Sequence, residues 1–126
     1  MKVCRAASLE FIPASHEDQN RPGVLKKVLF SREQLQEGRV QMVNWSLLPV
    51  GSEFRAHYHE DMEEVFIILN GAVEMEVSNE KVTLGTGDAI AIAPTEIHTM
   101  RNISGEDVHY IVFGITGDKQ GKTVVV

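Results

Sequence analysis

The chain has 126 residues, the usual size of one domain, and its hydrophobic share of 43% is enough for a single core. Its 12 Lys and Arg against 18 Asp and Glu give a net charge of -6, and the sequence contains no cluster of basic residues. This charge pattern argues against nucleic acid and against an anionic membrane surface as partners. The longest apolar runs, at 65–69 and 89–94, fall far short of the ~20 residues that cross a bilayer.

Two features of the N-terminal region indicate the compartment. The first residues lack the continuous apolar stretch of a signal peptide. The single cysteine, Cys4, has no partner for an internal disulfide, and a bystander thiol is the simplest interpretation of it. Both features fit a reducing cytoplasm, so we expect a cytoplasmic protein.

The first third of the chain is mixed in character. Residues 3–12 predict one strand, and 13–23, which is polar with two prolines, predicts a loop or arm. Residues 24–30 predict a strand. Ser31 followed by Gln34 is a capping-box pattern, and Gly38 suits the end of one short helix. We therefore expect an arm over 1–23, which adds a strand to the main domain or to a dimer, and one domain over 24–126.

After Gly38 the apolar residues recur with period two. Asn70-Gly71 is a strong tight-turn signal between two apolar segments. Nine or ten short strands at close spacing are typical of an all-β sandwich or barrel, and the lack of crossover helices argues against a parallel α/β sheet. The predicted strands in this part of the chain are 40–48, 54–59, 64–69, 72–77, 81–84, 89–93, 97–103 and 108–115.

The sequence His57-Tyr58-His59 places two imidazoles one residue apart. Residues two apart in a strand point to the same face, so the two histidines project together and Tyr58 points away. Such a pair can bind one metal ion. A pair of this kind also occurs on plain surface strands, so the spacing alone leaves both interpretations open.

Glu64 and His98 favour the metal interpretation. Glu64 opens the strand 64–69 on the face of Phe66 and Ile68, where a buried carboxylate is costly unless it is paired or bound to a cation. The alternative is that Glu64 lies at the solvated end of its strand. His98 follows a turn near the start of another strand. Three imidazoles and one carboxylate suit Zn, Fe, Ni or Mn, and a metal that prefers more ligands keeps open positions for chemistry.

Other polar residues near these positions are expected to have no direct role. Glu60, Asp61 and Glu63 are interpreted as a solvated turn between the histidines and Glu64. His16, in the polar arm, is expected to be exposed to solvent. His109 is expected to be an ordinary half-buried histidine.

The pattern resembles the cupin superfamily. The first cupin motif is a glycine, five residues, His-x-His, three or four residues, Glu, six residues and a glycine. It matches at every position, from Gly51 through His57, His59 and Glu64 to Gly71. The spacing back from Gly71 selects Glu64 rather than its neighbour.

The second cupin motif matches in part. Its first glycine, histidine and asparagine correspond to Gly87, His98 and Asn102. Ala93 stands at the motif's proline, although a proline follows it directly, and Thr95 stands at its second glycine. These departures affect the turn before His98.

The resemblance implies an all-β, cupin-type jelly-roll barrel with one short helix, formed as a single barrel over 24–126. It implies that His57, His59, Glu64 and His98 hold one divalent metal per chain near one mouth of the barrel. Single-barrel cupins are commonly homodimers, and residues 9–12 and 124–126 would either pack across such an interface or fold back on their own barrel.

Fold alone does not choose a reaction, because cupins include dioxygenases, isomerases, decarboxylases and binding proteins. The first expectation is an enzyme, dioxygenase-like or isomerase-like, in which Fe, Mn, Ni or Zn coordinates a small organic substrate. The alternative is a protein that binds or senses a metal and small ligand without turnover. A sugar-phosphate isomerase would need Arg55 and Arg101 as a phosphate clamp, but both are expected at the solvated rim. Core packing is expected for three further residues that might otherwise shape the pocket: Phe66, Met100 and Phe113.

Overall fold

A computed structural model describes residues 2–35, 39–117 and 121–126. Within these ranges the regular elements are strands, apart from two 3-10 turns at Ala6–Ser8 and Arg32–Gln34. The strands are β1 (Ile12–Pro13), β2 (Leu25–Ser31), β3 (Val40–Leu48), β4 (His57–His59), β5 (Met62–Ile68), β6 (Ala72–Val77), β7 (Glu80–Gly85), β8 (Ala89–Ile92), β9 (His98–Asn102), β10 (Val108–Thr116) and β11 (Thr123–Val125).

The strands form two antiparallel sheets. One has six strands in the order β1-β2-β3-β10-β5-β8, and the other has five in the order β11-β4-β9-β6-β7. This arrangement confirms the predicted all-β jelly roll. No helix in the described ranges is long and apolar enough to cross a membrane.

The strand predictions after residue 38 are confirmed within a few residues, and β3 and β6 have the predicted bounds. The prediction of a strand over 3–12 is wrong, because this segment contains the turn Ala6–Ser8 and only its last residue joins β1. The arm of 1–23 thus contributes the short β1, which pairs with β2. The strand β11 was not predicted, because three residues are too few to show a period.

The predicted short helix is a single 3-10 turn. The backbone N–H of Ser31 donates to Gln34 Oε1 at 2.9 Å, so the capping-box contact is present. The turn is over by Leu35, whose N–H bonds back to Arg32 O at 3.2 Å. The helix end expected at Gly38 lies outside the described residues.

The hydrophobic core lies between the two sheets. Each contributing strand sends alternate side chains inward, as the pleat of a strand requires. Met100 is fully buried there, which confirms its predicted role in packing. The core includes Val24, Leu48, Phe54, Phe66, Ile68, Val73, Met75, Ile92, Met100, Val108 and Val112. Phe54 and Phe66 of this core lie beside a cluster of buried polar side chains, with ring centroids 6.0 and 6.1 Å from that of His98.

Candidate metal centre

His57, His59, Glu64 and His98 come together from both sheets. β4 carries His57 and His59, and its neighbour β9 places His98 directly opposite His57 in the strand register. Glu64 reaches the same point from β5 in the facing sheet. One ligand atom from each of the four side chains lies within 4.8 Å of the others, and all four residues are buried. The structure therefore brings together the four residues whose clustering the sequence predicted.

Glu64 lies at the centre of the cluster. Its Oε1 is 2.9 Å from His59 Nε2 and 3.1 Å from His98 Nε2. Burial by itself raises the pKa of this carboxyl, but the contacts with His59 and His98 outweigh it and lower the pKa to about 2. Because Glu64 is only 5% exposed, the alternative that it lies at a solvated strand end is wrong.

Hydrogen bonds outside the cluster orient the histidine rings. His57 Nδ1 lies 2.6 Å from Arg55 O, and His98 Nδ1 lies 3.0 Å from Glu96 O. A backbone carbonyl only accepts, so each Nδ1 carries the proton and a neutral ring presents a lone pair at Nε2. Outer partners of this kind fix the tautomer of metal-binding histidines in proteins.

The surroundings of His98 fit a cation at the centre of the cluster. Its two ring nitrogens face two acceptors, Glu96 O and Glu64 Oε1. A neutral imidazole has one N–H, so this geometry needs either a second proton or a cation between Nε2 and the carboxylate. The residue is only 1% exposed. A divalent ion between the two groups would satisfy both the ring nitrogen and the carboxylate.

His57 is held as a neutral ligand. Burial and, to a smaller extent, the nearby His16 lower its pKa to about 3. A histidine must be neutral to coordinate a metal, so this environment favours the competent form at neutral pH. The complete set of donors, three imidazoles and one carboxylate, fits one divalent ion such as Zn, Fe, Ni or Mn.

A cavity of about 220 Å³ adjoins the cluster. Phe54 and Phe66 form an apolar part of its wall, with the Phe54 ring centroid 5.3 Å from that of His57. Phe66 thus both lines the cavity and packs in the core. The facing wall is polar, and its side chains include His16, Lys26, Gln41, Asn44, Ser46 and Tyr110. Sequence reasoning assigned none of these six to the site.

The prediction that His16 is exposed to solvent is wrong. Its side chain is 21% exposed, and its ring centroid lies 4.2 Å from that of His57. The cause is Glu17, whose buried carboxylate accepts from the backbone N–H of Gly23 at 2.5 Å and of Arg55 at 2.9 Å. These bonds fold the arm over the first motif. The polar composition of the arm gave no signal for this contact.

Several expectations about neighbouring residues are confirmed. Arg55 and Arg101 are exposed, and Arg101 pairs with Glu74 at 3.2 Å, so no phosphate clamp forms. His109 is half-buried and accepts a hydrogen bond from Trp45 Nε1 at 2.8 Å.

The expectation for Phe113 is wrong. This residue is half-buried on the outer face of β10 and is not part of the core, so it does not have the predicted role in core packing.

The acidic turn between β4 and β5 is only partly solvated. Glu63, which lies in β5 just after this turn, is exposed, as predicted. Asp61 instead has a structural contact, because its Oδ1 accepts from the backbone N–H of Gly121 at 2.7 Å. This bond holds the C-terminal segment beside the cluster, where Thr123 Oγ1 lies 2.9 Å from His59 Nδ1.

Comparison with known proteins agrees with this geometry. A family model described as "Cupin domain" matches residues 44–114. An uncharacterised protein of Methanocaldococcus jannaschii is 34% identical over 90 residues, which are 68% of this chain and 72% of that protein.

Two solved structures share the fold. The crystal structure of a "predicted oxalate decarboxylase" from Thermotoga maritima superposes with a TM-score of 0.81 at 23% identity, covering 92% of this chain and 100% of that one. The polyketide cyclase RemF from Streptomyces resistomycificus gives 0.78 at 17% identity, covering 100% of this chain and 85% of that one. From the matched domain and the relative at 34% identity, we conclude that the chain belongs to the cupin domain family.

Proposed function

We propose that this cupin holds one divalent metal per chain through His57, His59, Glu64 and His98, and is an enzyme that acts on a small organic substrate. The reaction we propose is dioxygenase-like or isomerase-like. The observation that supports the metal site most directly is the burial of His98 between two acceptors, with its ring nitrogens 3.0 Å from Glu96 O and 3.1 Å from Glu64 Oε1. The adjoining cavity supports a substrate of small size.

The residues of this chain would have distinct roles at the site: some would coordinate the metal, and others would exclude water. A divalent metal with open coordination positions polarises a bound oxygen, and a redox-active one also supports O₂ chemistry. The three histidines donate neutral nitrogen ligands, and Glu64 offsets part of the metal's charge. Phe54 and Phe66 keep water from one side of the site, which strengthens electrostatic interactions there.

The alternative is a protein that binds a metal and a ligand without turnover. One observation supports it: among the described residues that line the cavity, Glu64 is the one carboxylate, and the cluster already engages it. Tyr110 offers little as an acid or base, because burial raises the pKa of its phenol, although its hydrogen bond with Ser46 opposes that shift. The described lining of the cavity thus offers no second carboxylate to relay protons.

The functional classes differ in what happens to oxygen and to the ligand. Protein loaded separately with Fe(II), Mn, Ni and Zn would be incubated with a panel of small organic acids and sugars, with and without O₂. A dioxygenase consumes O₂ with a redox-active metal, and an isomerase converts its substrate anaerobically. A binding protein returns the ligand unchanged. His98→Ala is the control, and activity that persists in this variant would contradict an enzyme centred on the cluster.

We also propose that the protein is a homodimer. The two segments expected at an interface pair within their own chain, because β1 joins β2 and β11 joins β4. A different surface supports dimerisation: the outer face of the six-stranded sheet. There the strand register aligns large apolar side chains that are only half-buried in a single chain, namely Val43, Trp45, Leu47, Val65, Ile67, Ile111 and Phe113.

A further inference from the structure

Resting on the proposed function, we propose that the ligand of the metal cavity is a small hydroxy acid. Its carboxylate pairs with Lys26, its hydroxyl bonds to Asn44, and further oxygens face the His57, His59, Glu64 and His98 cluster. Lys26 and Asn44 line the cavity together with the cluster, although no sequence motif includes them.

Lys26 is directed into the cavity by the register of β2. It lies opposite Ser46 of β3, whose side chain is buried on the inner face, and both residues line the cavity. The next residue, Lys27, points to the outer face, where its Nζ lies 4.7 Å from the centre of the Phe11 ring and donates to Ala6 O at 2.8 Å. Two adjacent lysines therefore have opposite environments.

The ammonium group of Lys26 has no carboxylate partner among the described residues. Its hydrogen bond goes to the neutral Ser15 Oγ at 3.2 Å. Burial lowers the pKa of Lys26, so the cavity wall disfavours an unpaired charge there. An anionic group of a ligand would supply the missing partner. With a divalent metal at the cluster, Glu64 alone would not neutralise the site, which further favours an anion.

Asn44 supplies the second polar contact. The residue is only 6% exposed, it lines the cavity, and its buried Oδ1 has no hydrogen-bond partner. Buried polar atoms without partners are rare in proteins and call for an explanation. A hydroxyl donates to an amide oxygen, so a ligand O–H explains this atom. Ser46 and Tyr110 hydrogen-bond to each other and so have a partner within the cavity wall, unlike Asn44 Oδ1.

The size and charge of the cavity restrict the acid. A volume of about 220 Å³ lies below the range of drug-sized pockets, so the ligand has only a few carbon atoms. One ammonium suits a carboxylate, whereas phosphate sites typically use arginine forks or several backbone donors. Arg55 and Arg101 are exposed at the rim and do not line the cavity.

Calorimetric titration with three four-carbon probes separates these contacts. L-malate carries carboxylates and a hydroxyl, succinate lacks the hydroxyl, and 1,2,4-butanetriol replaces both carboxylates with alcohols. We expect malate to bind wild-type protein at least about tenfold more tightly than the triol, the size expected for a charge-assisted hydrogen bond. Asn44→Ala should reduce the preference for malate over succinate.

Lys26→Met and Lys27→Met form a matched pair, since each removes one positive charge from the same strand. Lys26→Met should weaken malate binding at least about tenfold and leave triol binding unchanged. Lys27→Met should keep malate binding, and Lys26→Arg should keep most of it. Circular dichroism of each variant checks folding. If Lys26→Met does not fold, the wild-type comparisons of malate with the triol and with succinate still test whether the ligand is an acid and whether its hydroxyl contributes to binding.

Metal content, measured on the same samples, separates this inference from the proposed function. Wild-type protein that holds metal but binds the triol as well as malate would overturn the hydroxy-acid assignment and leave the metal site standing. Equal malate binding in wild type and Lys26→Met would overturn it too. Malate binding that depends on Lys26 in protein unable to take up metal would support the anion site and contradict the proposed metal function.

Discussion

Thr123 Oγ1 lies 2.9 Å from Nδ1 of His59, so the C-terminal strand supplies an outer hydrogen bond to the metal cluster. The contact arises because β11 pairs with β4 in a register that sets Thr123 opposite His59. His57 and His98 donate their outer hydrogen bonds to backbone carbonyls close to them in sequence, whereas His59 depends on a residue at the far end of the chain.

Thr123→Val should weaken metal binding without unfolding the protein. The substitution keeps the shape of the side chain and removes the hydroxyl that orients His59. Loss of such an outer partner typically costs about 10–100-fold in metal affinity. Competition with a chromophoric chelator measures the affinity, and Thr123→Ser, which keeps the hydroxyl, is the control. Equal affinity in the valine and serine variants would show that the bond does not matter.

The metal-free protein should lose stability as the pH falls below about 6.5. The folded state holds the pKa of His57 near 3, against an ordinary value of 6.5, because the ring is buried. As the pH falls, the unfolded chain therefore binds a proton at this histidine before the folded protein does. The stability that the neutral ring contributes is fully present above pH 6.5 and is lost as the pH falls toward 3. Between pH 6.5 and 5 the loss is about 2 kcal/mol.

Two other groups act in the same direction on this pH dependence. Burial also lowers the pKa of His16, and the lowered pKa of Glu64 removes further stability as the pH falls from 4.5 toward 2. Urea unfolding in excess chelator at pH 7, 6 and 5 measures the effect, and His57→Phe should reduce the slope. A wild-type stability that is flat across this range would contradict the prediction.

Gly23→Ala should detach the N-terminal arm. A Cβ at residue 23 would collide with the backbone oxygen of Glu53 and lie 2.5 Å from Glu17 Oε1. We expect a loss of about 2 kcal/mol or more in the free energy of unfolding, together with faster cleavage within the arm by a protease of broad specificity such as proteinase K. Gly105→Ala is the matched control, since nothing lies within 4 Å of its new Cβ. Similar behaviour of the two variants would mean that the arm is not held through Gly23.

Ile111→Arg should separate the proposed dimer. Ile111 lies at the centre of the apolar outer face, between Trp45 of β3 and Ile67 of β5. A charge buried in such an interface without a partner opposes association. Light scattering during gel filtration should give the mass of two chains for wild type and of one for the variant. Val82→Arg, at an exposed position on the other sheet, should remain dimeric, and a monomeric wild type would refute the proposal.

The sequence predicted the strand order along the chain and the four clustered residues because both depend on local spacing. His57 and His59 share a face through the period of a strand, and the motif spacing picks out Glu64 and His98. The structure brings these four side chains together as expected.

The cavity wall was harder to predict because β3 presents its apolar face outward. Val43, Trp45 and Leu47 have the pattern of a core face, yet Asn44 and Ser46 are the buried residues. The alternation divides the residues of a strand between two faces, but it does not say which face points inward. A register shifted by one residue moves every side chain to the opposite face. The outer face is instead partly covered by the arm, where the Phe11 ring lies 6.0 Å from that of His109.

His16 and Thr123 were missed for a different reason. Each reaches the cluster through folding of a chain terminus over the barrel, His16 through the contacts of Glu17 and Thr123 through pairing of β11 with β4. No periodic pattern in either segment specifies such a long-range contact. For Lys26 a signal did exist, since it lies two residues after the buried Val24 in an extended segment of the chain.

The most direct test of the metal site is elemental analysis of purified, untagged wild-type protein beside His59→Ala and His98→Ala. We expect about one divalent metal per chain in the wild type and its loss in both variants, since each removes one donor of a four-residue site. The identity of the metal would then indicate the class of reaction: a redox-active metal favours O₂ chemistry, and a redox-inactive metal favours a redox-neutral reaction. A wild type that carries no metal, and takes up none when offered Fe, Mn, Ni, Co and Zn in turn, would contradict the central claim.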